Sequence, residues 1–68
     1  MVRTNELVAA RKRAGVTQEE CGKAIGCSKN VYFQKENNKA KFDIIEATKL
    51  CIFLNISDYA QRSYIFLD

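Results

Sequence analysis

The chain has 68 residues, 47% apolar and 28% charged, with a net charge of +3, three glycines, three cysteines, no proline and no histidine. So short a chain makes one domain, residues 1–68, that buries only about 60% of its unfolded surface, and its apolar content excludes a disordered polyelectrolyte. The cysteines are odd in number, form no CxxC and have no histidine beside them, so no zinc site is expected and they read as three free thiols in a reducing cytoplasm.

Hydrophobic periodicity predicts an all-α fold of five helices and no strand. The first helix runs over 5–14, with Leu7, Ala10 and Ala14 at helical spacing and Gly15 as a left-handed stop. Thr17-Gln18-Glu19-Glu20 is a capping box opening the second, with Cys21, Ala24 and Ile25 facing inward and Gly26 closing it. Ser28 caps the third helix, which continues to about Glu36 and stops at Asn37-Asn38. A second box, Asp43 to Glu46, opens the fourth, with Ile44, Ala47, Leu50, Cys51 and Leu54 as its apolar stripe and Asn55 as its stop. Ser57 caps a short fifth helix over 58–63. The apolar end, Tyr64 to Leu67, reads as a last helical turn or a short strand.

The longest apolar run, Leu50 to Leu54, is too short to span a bilayer, and no leader-like segment is read at the start. No repeat, low-complexity tract or linker is evident. There is no Ser/His/Asp set and no glycine-rich phosphate loop, and the carboxylates sit at capping positions, so no enzyme and no cofactor are expected. Charge is uneven. Residues 1–41 carry nine Lys/Arg against four Glu, while 42–68 carry two against four acids. A basic half of this kind suits a polyanion.

Two short helices joined by a few residues that include glycine cross steeply, and the second can enter a major groove while the first spans the backbone. The outward residues of the third helix are then Lys29, Asn30 and Gln34, with Phe33 beside them. Asparagine and glutamine pair with adenine, and lysine with guanine. Gln18 and Ser28 stand at helix N-termini, where amides and the helix dipole favour phosphate. Lys39 and Lys41 follow in the loop where a phosphate backbone would pass. Tyr32 fits the core face. Its neighbour Phe33, about 100° away, is left to touch a thymine methyl, contact a protein or fold over a neighbour. Arg11-Lys12-Arg13 reads first as a solvated helix end that suits the C-terminal dipole.

Arg11, Gly15, Thr17-Gln18-Glu19-Glu20, Gly26, Ser28 and Glu36-Asn37 together resemble the lambda-repressor-like, Cro/repressor-type helix-turn-helix family. The likeness covers essentially the whole chain and is nearest to short phage or prophage regulators. It implies that Gln18 touches phosphate and braces the first recognition residue. It implies that Ser28 and Asn37 hold the backbone, and that Lys29, Asn30 and Gln34 read bases. It also implies an internal ion pair between Arg11 and Glu36. Four features depart from the pattern. Gly22 stands where alanine is usual, at a cost of about 1 kcal/mol of helix propensity. Ala10 and Cys21 are small where leucine is common. Lys35 replaces a large apolar residue and is expected to snorkel. Asn38 replaces glycine at the turn.

The expected partner is double-stranded DNA, bound as an operator by a transcriptional regulator, with repression by operator occupancy as the first expectation and activation through contact with polymerase as the other. A homodimer would double the contacts across a two-fold axis. Tyr59, Tyr64, Phe66 and Leu67 are candidates for its surface, or Phe66 and Leu67 simply close the core. The rival expectation is a protein-interaction module, antirepressor-like or antitoxin-like, that binds through Phe33, Tyr32 and the tail.

Overall fold

A computed structural model describes residues 2–66. They form five helices: α1 Thr4–Ala14, α2 Gln18–Ile25, α3 Lys29–Glu36, α4 Ile44–Phe53 and α5 Tyr59–Phe66. No strand occurs among the described residues. The fold is all-α, as the periodicity predicts.

The caps explain the boundaries. Thr17 Oγ1 accepts from the Glu20 N–H at 3.1 Å, and Glu20 Oε1 accepts from the Thr17 N–H at 2.8 Å. Asp43 and Glu46 make the same reciprocal pair at 2.7 and 3.1 Å. Each box satisfies two amides that a helix start leaves open. Gly26 ends α2 at φ +86°, a region that costs glycine nothing. Asn38 and Asn55, both at φ +62°, take the same conformation after α3 and α4.

The core gathers Val2, Leu7, Ala10, Cys21, Ile25, Tyr32, Leu50, Cys51, Leu54, Ile56 and Ile65. Tyr32 is its largest fully buried side chain, and the small Ala10 and Cys21 are buried with it. α2 packs on α3 and α4, while α1 packs on α3 and α5.

Three expectations change. Ile44 is 77% exposed rather than buried. It occupies the first turn of α4, where it lines an open groove with Phe42, Ala47 and Phe66. α5 begins one residue later than expected, and residues 64–66 continue it as a last helical turn rather than a strand. Asp58 Oδ1 accepts from the Ala60 N–H at 3.0 Å, so a carboxylate holds the helix start. The buried Ile65 carries the helix on, and its carbonyl accepts from the Arg3 N–H at 2.8 Å.

Gly22 is the third change, and it is more than a weak helix former. A Cβ there would lie 2.9 Å from the Cys27 carbonyl oxygen and 3.0 Å from that of Ser28. The missing side chain lets the turn close onto α2, and the Cys27 N–H donates to the Gly22 carbonyl at 2.8 Å.

Candidate nucleic-acid interface

α3 begins at Ser28, whose Oγ accepts from the Val31 N–H at 3.2 Å. Eight residues long, it buries only Tyr32 and Glu36. Lys29, Asn30, Val31, Phe33 and Gln34 are exposed. Asn30 and Gln34 lie one turn apart on this face, with Val31 and Phe33 to either side. Val31, 39% exposed, is an apolar member of the face that the sequence reading passed over. The same step of about 100° from the core Tyr32 that turns Phe33 outward also turns Val31 outward on the other side.

The only acid of α3 is internal. Glu36 is 2% exposed and accepts three side-chain hydrogen bonds. Arg11 Nε donates to its Oε2 at 2.9 Å, Tyr32 Oη to Oε2 at 2.9 Å, and Gln18 Nε2 to Oε1 at 3.0 Å. Arg11 also reaches the Val16 carbonyl at 3.3 Å. Burial, followed by the neighbouring Cys21 and Glu36, pushes the Tyr32 phenol far above its ordinary value, so it stays a donor. The exposed face of α3 therefore presents amide and ammonium groups and no carboxylate.

The flanking residues divide. Lys39 and Lys41 are exposed in the loop after α3. Asn37 turns its side-chain NH₂ back onto the Phe33 carbonyl at 2.9 Å, where it caps its own helix. Gln18 is half-buried, its amide engaged with Glu36 rather than with a residue of the exposed face. Lys35 does not reach solvent as expected. Its ammonium lies 2.6 Å from Glu46 Oε1 and 3.1 Å from the Lys41 carbonyl, because α4 brings an acid within reach.

Asn38 has a role beyond tolerating the turn. Its Oδ1 accepts from the Val2 N–H at 3.0 Å and its Nδ2 donates to the Val2 carbonyl at 2.8 Å. This two-point clamp ties the start of the chain to the end of α3. Thr4 Oγ1 adds a bond to the Glu36 carbonyl at 2.8 Å.

The residues considered for a dimer surface do not form one set. Tyr59 is 75% exposed. Tyr64 is half exposed, with the Arg3 guanidinium 4.3 Å over its ring. Phe66 packs edge-on against Phe42 with ring centroids 5.4 Å apart, which makes it part of the core wall. Leu67 lies outside the described residues. Tyr32, considered for a protein contact, is fully buried.

Among the described residues no group of three or more His, Cys, Asp or Glu gathers, and no helix is long and apolar enough to cross a membrane. No curated protein and no solved structure matches the chain. A helix-turn-helix family model does match, over residues 7–59, which takes in α1 to α4 apart from three residues and reaches the start of α5. With that match over most of its length, the chain belongs to the helix-turn-helix family of Cro/repressor type, a family of DNA-binding transcription regulators.

Proposed function

We propose that the protein is a sequence-specific repressor of phage type, acting in the cytoplasm by occupying an operator with α3 in the major groove. One observation carries this reading. The exposed face of α3 holds Lys29, Asn30, Phe33 and Gln34, while its single acid is buried and neutralised by Arg11. In this reading Asn30, Gln34 and Lys29 meet base edges, and Phe33 meets a thymine methyl. Lys39 and Lys41 meet phosphates, joined by the amides at the α2 and α3 N-termini beside Gln18 and Ser28. Asn37 acts through the backbone it caps. Two copies on a two-fold operator would double these contacts, with Tyr59 and Tyr64 as the exposed tail residues available to the pair.

The test is a pair of variants on a duplex selected from a randomised pool. Asn30→Ala should lose discrimination at one base step. Lys39→Ala should weaken all duplexes alike and flatten the salt dependence. If both variants behave the same way, the assignment of base readers is wrong.

A second reading, contact with a protein partner, is favoured by one feature of α4. Ile45 and Ile52, seven residues apart on one face, are 63% and 68% exposed. Two large aliphatic side chains exposed together on one helix face make a surface that a partner could cover. Heterodimerisation without DNA affinity would move the weight to this reading.

A further inference from the structure

Lys35 is the one basic side chain of α3 turned away from solvent. It is 12% exposed, and its partner Glu46 is 19% exposed. Its ammonium touches Glu46 Oε1 at 2.6 Å and the Lys41 carbonyl at 3.1 Å, and lies 5.9 Å over the Phe42 ring. The same Glu46 oxygen accepts from the Asp43 N–H at 3.1 Å. A single carboxylate oxygen thus serves both the start of α4 and the end of α3.

The loop between these helices is held at two points. Near its start, the Gln34 carbonyl accepts from the Lys39 N–H at 2.8 Å and the Ala40 N–H at 3.2 Å. Near its end, the Lys35 ammonium holds the Lys41 carbonyl. Lys39 and Lys41 themselves point to solvent.

Stability does not explain the pair. A largely desolvated ion pair roughly breaks even against apolar residues of similar volume. An apolar side chain as long as lysine would cover Phe42 equally well. An ammonium can also grip a carbonyl and a carboxylate together, and so fix the backbone between them.

We infer that Lys35 and Glu46 are positioning residues for the phosphate-facing lysines: their ion pair holds the loop so that Lys39 and Lys41 stay in register with α3. This rests on the DNA-binding reading proposed above.

The charge-neutral double variant Lys35→Met/Glu46→Gln isolates the effect, because net charge and long-range attraction are unchanged and glutamine still accepts from the Asp43 N–H that opens α4. Melting and DNA affinity would be measured for the full chain on one selected and one random duplex across a salt series. The double variant should melt near wild type yet bind both duplexes roughly five- to tenfold more weakly, with a log–log salt slope shallower by about one. Adding Lys39→Ala to it should cost less than Lys39→Ala costs in the wild type.

A double variant with wild-type affinity, wild-type slope and the full cost of Lys39→Ala overturns the inference. If the double variant fails to fold, Lys35→Gln/Glu46→Gln, also charge-neutral, makes the same comparison. The Lys35 ammonium is mostly buried and paired, so without a positioning role the loss of the pair leaves the slope unchanged. Wild-type protein lacking salt-dependent binding sinks the DNA reading and this inference together. Wild-type binding with an unaltered double variant sinks this inference alone.

Discussion

Gln18 Nε2 donates to Glu36 Oε1 at 3.0 Å, so the first residue of α2 is tied to the last residue of α3. Arg11 from α1 and Tyr32 from one turn back meet the same carboxylate. One buried acid therefore joins the three helices that set the pose of α3. Glu36→Leu removes the acceptor of all three donors and leaves Arg11 unpaired at 14% exposure. Breaking such a pair costs about 3 kcal/mol or more, a large share of a small domain's stability. Urea unfolding should show that loss for Glu36→Leu and a comparable one for Arg11→Ala. A wild-type midpoint in either would mean the network is not holding the fold.

Gly22→Ala sets two effects against each other. Alanine gains about 1 kcal/mol of helix propensity. Its Cβ would lie 2.9 and 3.0 Å from two backbone carbonyl oxygens, which cannot swing aside as a flexible side chain can. Overpacking of this kind costs about 1–3 kcal/mol, so the clash should win and the melting temperature should fall. A higher melting temperature would show that the turn can move away from α2 freely.

Asn38→Gly tests the clamp on Val2. Glycine keeps the left-handed turn at φ +62° but loses both bonds to the Val2 backbone. The expected loss is about 1 kcal/mol, with faster amide exchange at Val2 and Arg3. Unchanged exchange at those two amides would contradict the clamp.

Alkaline pH should weaken the fold. Burial raises the Cys21 and Cys51 thiols above their ordinary 9.0, and burial followed by Cys21 and Glu36 raises the Tyr32 phenol above 10.0. A group whose folded pKa is raised leaves stability intact below its unfolded pKa. Stability is lost as pH climbs from there toward the folded value. Unfolding free energy should therefore be level up to about pH 8 and fall above about pH 9. Tyr32→Phe, lacking the phenol, should fall less steeply over that range. Equal slopes would mean that Tyr32 does not contribute.

The elements of the fold were legible because local chemistry marks them. Thr17, Ser28 and Asp43 announce helix starts, and Gly15, Gly26, Asn38 and Asn55 announce stops, through bonds and backbone angles that depend on near neighbours. The exposure of Asn30 and Gln34 followed from Tyr32 claiming the opposite face. What escaped depends on distant contacts. Nothing local places Glu46 beside Lys35, or Val2 beside Asn38. The value of Gly22 lies in a carbonyl five residues on that only the folded turn brings close. Ile44 has the right spacing for the core, yet it faces the open groove it shares with Phe42, Ala47 and Phe66.

The most direct test of the central claim is a fluorescence-anisotropy titration of the protein with a selected and a random duplex at two salt concentrations. The account predicts a selected site bound about a thousandfold or more tighter than random DNA, with affinity falling steeply as salt rises. Binding of both duplexes alike, no tighter than the roughly 10⁻⁴ to 10⁻⁶ M of non-specific contact, would contradict it.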